Sequence, residues 1–393
     1  MTRRSITDAD VRGQRVLCRV DFNVPIRNGT IDDDSRIRAA VPTIEWLVEN
    51  GAKVILCSHL GRPKGKLVDA LRLQPVGDRL AELIDQPVVT LAETTGPSVS
   101  AAVGRMVDGD LVLLENLRFD RREEANDPSL ARELAELADL YMNDAFGAAH
   151  RAHASTEGIA HLRPSFIGLL MQAEIEALNK LLDEPERPFV AIIGGAKVSD
   201  KMGVLENLLP RVDTLLIGGG MANTFLVAQG VEVGTSLVEP DLVAVASGLM
   251  MAARNLGVEI GLPTDVIVAT SIEARTGVHV TIDQIANDAA IFDIGRETAA
   301  HFAGIIRQAR TVLWNGPLGV AENPVFASGT ATVAQAMAGT EGYTVIGGGD
   351  SVAAIQQLGL AGRIDHISTG GGASLEFLEG KTLPGIAAVP EAE

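Results

Sequence analysis

Eight short apolar runs, each stopped by glycine or a polar residue and followed by a longer stretch of helical spacing, constrain what this chain can become. They cover residues 15–20, 52–57, 110–114, 189–193, 214–217, 266–269, 311–314 and 344–346. A strand that is apolar at successive positions has no solvent face, so it belongs in a parallel sheet with helices on both sides. Residues 128–140 and 168–182 repeat apolar side chains at the helical period, as the covering helices require. The expected fold class is α/β.

At 393 residues the chain has room for two or three domains. The polar segment 183–188, Asp-Glu-Pro-Glu-Arg-Pro, suits neither a helix interior nor a central strand and is the expected boundary. No repeat of fixed period is visible, which sets solenoids aside. The net charge of −18, from 33 Lys+Arg against 51 Asp+Glu, speaks against nucleic acid and anionic membranes as partners, since both need a basic face. Only seven of the basic residues are lysine. Residues 1–187 hold 19 of the arginines at a net charge of −7, whereas residues 188–393 stand at −11 and hold the glycine triplets. The first ten residues contain Arg3 and Arg4 but no apolar segment, so no secretory signal is expected. The uncharged runs 214–231 and 323–340 are too short and too broken by glycine, proline and polar residues to span a bilayer. A cytoplasmic location is expected. Cys18 and Cys57 both lie inside apolar runs and are expected to be small buried hydrophobes rather than a disulfide.

In the second half, four glycine-rich turns follow strand-like runs: Gly194-Gly195-Ala196-Lys197, Gly218-Gly219-Gly220, Gly347-Gly348-Gly349-Asp350 and Gly370-Gly371-Gly372. Turns at the carboxyl ends of parallel strands form ligand crevices, and glycine lets backbone N–H groups approach phosphate oxygens there. Neither Gly61 to Lys66 nor Gly380-Lys381-Thr382 has the spacing of a P-loop, and Asn223 stands where Gly218-x-Gly220 would need the third glycine of a dinucleotide fingerprint. Lys197 and Lys201, four residues apart, would share a face if a helix began there, and the pair would suit a polyphosphate. Asp350, after three glycines, suits either Mg2+ held jointly with substrate phosphates or a helix N-cap.

The first half places arginine or histidine where strands give way to loops: Asp21-Phe22-Asn23, Asp33 to Arg38, Ser58-His59-Leu60-Gly61-Arg62, Glu115 to Phe119 and Gly147 to His153. Converging guanidinium forks describe a small ligand with several negative charges. His59 and His153 have no cysteine or carboxylate at metal-ligand spacing. Besides a phosphate-transfer enzyme, two classes stand on these residues. A nicotinamide dehydrogenase would need an intact fingerprint with an acid about 20 residues beyond it. A noncatalytic anion-binding protein would not need both lysines and Asp350.

Ten ordered segments, residues 19–25, 33–38, 58–63, 115–119, 143–155, 194–203, 218–226, 314–322, 347–351 and 368–384, together resemble the phosphoglycerate kinase family over nearly the whole chain. The resemblance implies two Rossmann-like lobes, each a parallel sheet covered by helices, with a deep interdomain cleft. It implies a triose (3-phosphoglycerate) binding domain at 1–167, a connecting helix and linker at 168–187, a nucleotide-binding domain at 188–375, and a last segment, 376–393, packing back on the first domain. The implied reaction moves the acyl phosphate of 1,3-bisphosphoglycerate to ADP, giving 3-phosphoglycerate and ATP. The triose site so implied is Asp21, Asn23, Arg36, His59, Arg62, Arg118 and Arg151. The nucleotide site is Lys197, Lys201, Glu322, Gly348, Gly349, Asp350 and Ser351, with Mg2+ on Asp350 and ATP or ADP as co-substrate. Arg36 and Lys197 would flank the transferred group, assisted by backbone N–H groups at Gly349 and Gly372. A monomer without nucleic-acid or membrane partners is expected. Ala321 departs from the family, which usually has phenylalanine there.

Overall fold

The computed structural model describes residues 3–392. The chain divides into two compact units, one running up to Glu176 and resuming at Thr382, the other spanning Ala177–Lys381. The division falls inside the helix Leu169–Leu182, ahead of the polar segment 183–188, and residues 376–381 fall in the second unit. The residues beyond 382 are tied into the first unit by backbone bonds from Gly385 N–H to Ala149 (2.8 Å) and from Arg4 N–H to Pro390 (3.0 Å).

The first unit is built on a six-stranded parallel sheet in the order Val88–Thr90, Leu111–Leu113, Lys53–Cys57, Arg15–Arg19, Leu140–Asn143, Ser165–Ile167. Its apolar runs alternate between two cores. Val16, Cys18, Val54 and Leu56 enter one, while Leu17, Ile55, Cys57 and Tyr141 enter the other. The helix Ser35–Glu49 covers the first core with Ile37, Ala40, Ile44 and Leu47, which follow the i, i+3, i+7 spacing of a buried stripe. The opposite core receives Leu130, Ala131, Leu134 and Ala135 from the helix Pro128–Glu136, which starts with Asp127 accepting from Ser129 N–H at 2.7 Å. Each fully buried leucine or isoleucine contributes about 1.5–3 kcal/mol, so both faces stabilise the sheet. Cys18 and Cys57 are buried, free, and on opposite faces.

The second unit has its own six-stranded parallel sheet, ordered Glu259–Gly261, Thr214–Ile217, Phe189–Ile193, Thr311–Asn315, Tyr343–Gly347, His366–Ile367. Counted along the chain this is the order 3-2-1-4-5-6, and it reverses between Phe189–Ile193 and Thr311–Asn315. A reversal of this kind opens a crevice beyond the carboxyl ends of the two strands. Backbone packs on backbone there: Gly194 N–H donates to Asn315 (2.9 Å), Gly195 N–H to Pro317 (2.9 Å) and Met221 N–H to Gly195 (3.0 Å).

One apolar run falls elsewhere. Asp265–Ala269 is the central strand of a small antiparallel sheet with Val278–Thr281 and Ala290–Ile294, not a member of either parallel sheet. Its apolar side chains fill a local cluster of Val266, Val268 and Ala289, and an apolar run does not report the direction of its neighbours. Among the described residues no helix is long and apolar enough to cross a membrane.

A Cβ at Gly194 would lie 2.2 Å from the Pro317 carbonyl oxygen, whereas one at Gly304, inside the helix Arg296–Gln308, meets nothing within 4 Å. We therefore expect Gly194→Ala to lower the unfolding free energy by about 1–3 kcal/mol. Gly304→Ala should raise it by about 0.5–1 kcal/mol. Urea melts of both variants check the pair.

Candidate active site

In the first unit the loops at the carboxyl ends of the inner strands converge on Arg19, the buried last residue of its strand. Its Nε donates to Ser155 Oγ (2.9 Å), one terminal nitrogen bonds the Val20 carbonyl, and the other lies 3.1 Å from His59 Nδ1. Ser155 then donates its hydroxyl to Glu123 Oε1 (2.5 Å) and its N–H to Oε2 (3.0 Å). Burial pushes the Glu123 carboxyl up from its ordinary pKa, and the Arg19 charge works against that. This buried arginine, serine and glutamate chain joins a strand end, a turn and the short helix Arg121–Glu124 into one floor.

Around that floor Arg36, Arg118 and Arg151 gather near His59, on which their charges act. Arg36, in the first turn of its helix, is ion-paired to Asp21. Asn23 Oδ1 accepts from Gly61 N–H (2.8 Å), and Arg118 donates to the Gly61 carbonyl (2.9 Å), so both grip the loop that carries His59 and Arg62. Asn116 completes the grip, accepting from the N–H groups of Leu60 and Arg118 (both 3.1 Å) and donating to the carbonyls of Leu60 (2.8 Å) and Leu71 (2.9 Å). Arg151 donates to His150 (3.0 Å). Arg62 is exposed and has no hydrogen bond or ion pair among the described residues. Burial, then the charges of Arg19, Arg118, Arg151 and Arg36, hold His59 well below its ordinary pKa. Burial, then the charges of Arg118, Arg19 and Arg151 and the nearby His150, bring His153 down to about 4. Near pH 7 both imidazoles are therefore neutral among fixed guanidinium charges, which suits a ligand with several negative charges. Arg19, Glu123, Ser155 and Asn116 were not expected as site residues. The visible signal for Arg19 is a charge directly following the apolar run Val16-Leu17-Cys18.

In the second unit a pocket of about 520 Å³ opens at the reversal point, walled by Gly195, Gly219, Leu237, Pro317, Glu322 and Asp350 among others. The four glycine turns divide the work. Those at 194–195 and 218–219 spend their N–H groups on neighbouring backbone, so they build the crevice rather than offer donors. By contrast Gly348 (φ +90°) and Gly371 (φ +54°) lead into the helices Gly349–Gln357 and Gly372–Leu378, and a Cβ at Gly349 or Gly371 would meet open space. The first N–H groups of each helix have no intrahelical partner and no side-chain cap, the arrangement that receives phosphate oxygens.

The two lysines do not share a helix face, because the helix begins only at Met202. Lys197 lies exposed in the preceding loop, while Lys201 is half-buried and donates to Asn315 Oδ1 (2.5 Å). Burial lowers the Lys201 pKa, and Asp200, Asp350 and Glu379 oppose that. Asn315 Nδ2 and Asn223 Oδ1 are buried without partners, an unmet hydrogen-bonding capacity beside this pocket. Ser351 is buried, its hydroxyl accepting from Gly316 N–H (2.6 Å), so its side chain braces the crevice. Glu322 and Asp350 are exposed carboxylates with no hydrogen bond or ion pair from their side chains among the described residues, although the Asp350 charge reaches Lys201. An unpaired carboxylate beside open backbone donors fits a hard cation shared with phosphate. Among the described residues one group places three possible metal-binding atoms within 4.8 Å, Asp265, His279 and Glu297. There Asp265 already accepts from the N–H groups of Glu297 (3.0 Å) and Thr298 (2.7 Å), capping the helix Arg296–Gln308.

Between pH 6.5 and about 4 an unfolded chain would take up a proton at His153 that the folded one refuses, so this group loses stability as pH falls through that window. We expect its NMR titration midpoint near 4, and a midpoint near 6.5 would remove it from the buried cationic setting. Arg19→Ala, which strands Glu123, should cost about 3–5 kcal/mol in a denaturant melt.

A family model described as phosphoglycerate kinase matches residues 6–381. The chain is 58% identical to the phosphoglycerate kinase of Roseiflexus sp. (strain RS-1) over 395 residues, with all of both chains covered. It is 56% identical to that of Moorella thermoacetica over 392 residues, again with full coverage of both. Among solved structures, phosphoglycerate kinase from Coxiella burnetii is similar with a TM-score of 0.89 at 41% identity, covering 98% of each chain. The enzyme from Pyrococcus horikoshii OT3 gives 0.83 at 35% identity, also with 98% of each chain covered. The strand order of the second unit also suits dinucleotides, but Asn223 in place of the third glycine and matches of this extent set a dehydrogenase aside, and the chain belongs to the phosphoglycerate kinase family.

Proposed function

We propose a division of labour between the two units for the family's reaction, the reversible transfer of the acyl phosphate of 1,3-bisphosphoglycerate to ADP. The first unit takes the glycerate through Asp21, Asn23, His59, Arg62, Arg118 and Arg151. The second takes the nucleotide, with Lys201 and the N–H groups at Gly348 to Ser351 on its phosphates and Glu322 near its ribose. The observation that carries this reading is the contrast between the sites: fixed guanidinium groups around neutral imidazoles in one, open backbone donors beside an unpaired carboxylate in the other.

Phosphoryl transfer asks for position and for compensation of charge spread over three equatorial oxygens, with no covalent nucleophile from the protein. Arg36 and Lys197 supply that compensation, helped by backbone N–H groups at Gly349 and Gly372. Asp21 holds the Arg36 guanidinium in place before substrate arrives. Asp350 would hold Mg2+, which neutralises charge on the nucleotide phosphates when bound. We place the enzyme in the cytoplasm, where its substrates are small soluble anions, and take it to act as a monomer.

A coupled assay with 3-phosphoglycerate, ATP and Mg2+ should show turnover, and its absence would overturn the reading. Arg36→Ala should lose about 10²–10³ in kcat, while affinity for ADP stays at the wild-type value. Lys201→Ala should instead weaken ADP binding.

A further inference from the structure

Lys197 sits in a loop with little of its own to hold it. It follows Gly194-Gly195-Ala196, is exposed, and precedes the first helical residue, Met202, by five positions. One carboxylate from a distant segment grips the backbone immediately after it. Glu239 Oε2 accepts from the N–H groups of Val198 (2.6 Å) and Ser199 (3.1 Å), and Oε1 accepts from Ser199 Oγ (2.6 Å). Burial raises the Glu239 pKa, but these bonds and the nearby Lys197 charge hold it below its ordinary value, so the acceptors stay ionised at neutral pH.

Glu239 is itself anchored to the pocket. Its N–H donates to Thr224 Oγ1 (3.1 Å) on the buried helix Gly220–Ala228. Two residues earlier, Leu237 walls the nucleotide pocket, and its carbonyl accepts from Asn223 Nδ2 (3.1 Å). Thr235, another wall residue, is pinned by its N–H to the Ala289 carbonyl (2.9 Å). Residues 235–239 are thus pocket wall at one end and clamp at the other.

We propose that Glu239 is a positioning residue for phosphoryl transfer, which clamps Val198 and Ser199 so that Lys197 is presented in register with the nucleotide lying against Thr235 and Leu237. This rests on the role given to Lys197 above. A purely structural alternative exists, since the same three bonds cap the turn leading into the helix Met202–Leu208. The two differ in what loss of the carboxylate does. A misplaced Lys197 lowers kcat and leaves the glycerate site untouched, because misplacement of a reacting partner by about 1 Å can cost up to 10²-fold.

The test is a double-mutant cycle on the full chain, with kcat, KM for 3-phosphoglycerate and the thermal midpoint measured for Glu239→Ala, Lys197→Ala and the double variant. We expect Glu239→Ala to lose about 10- to 100-fold in kcat at unchanged KM and midpoint. On the Lys197→Ala background the same change should cost nothing further. Glu239→Gln, which keeps one acceptor oxygen, should recover part of the loss, and it serves as the probe if the alanine variant does not fold. Normal turnover of Lys197→Ala would overturn the reading of Lys197 itself. An impaired Lys197→Ala beside a normal Glu239→Ala would overturn this inference alone. So would equal losses from Glu239→Ala on both backgrounds with a lowered midpoint, which identify a cap that serves only folding.

Discussion

Both parallel sheets are covered on both faces, and the rest of the molecule follows from that constraint. Val16 and Cys18 point into one core and Leu17 into the other, so no face of the sheet is left to meet a ligand. Only the strand ends remain. The chain places there the polar and glycine residues of both sites: Arg19, Asp21 and His59 in the first unit, and Gly194, Asn315 and Gly348 in the second. A rigid slab that delivers short loops from several strands fixes charged groups without relying on the loops' own stability.

Arg19 shows how such groups are made tolerable. A guanidinium at the end of a buried strand would be costly alone, and it is matched by Glu123 through Ser155 rather than by direct contact. Burial, reinforced by this positive charge and those of Arg118 and Arg151, keeps His59 and His153 neutral. The chain as a whole carries −18, yet this neighbourhood is cationic. An acidic surface around a focused basic site admits small anions and disfavours polyanions.

Much of this was legible in the amino-acid sequence, because the signals that were read depend on burial. Phe189–Ile193 and Thr214–Ile217 were readable to the residue, since uninterrupted apolar side chains occur where two faces are covered. Edge strands such as Val88–Thr90, Glu259–Gly261 and His366–Ile367 were not, because two or three residues carry no period. The glycine turns looked alike as text, but two serve close backbone approach and two leave donors open, a distinction set by what packs opposite. The spacing of Lys197 and Lys201 suggested a shared helix face, whereas Glu239, 40 residues away in the chain, determines where that loop lies. Partners such as Glu123 and Glu239 leave no local pattern, as their role arises only once distant segments meet.

The central claim is that each ligand class has its own unit, and hydrogen exchange with single ligands tests it most directly. With 3-phosphoglycerate alone, the account predicts slowed exchange confined to the loops around residues 20–24, 58–62, 116–119 and 150–155. With Mg-ADP alone, protection should fall on residues 195–201, 219–223, 235–239 and 348–352. Protection of the second set by 3-phosphoglycerate alone, or of the first by Mg-ADP alone, would contradict the assignment of the two sites.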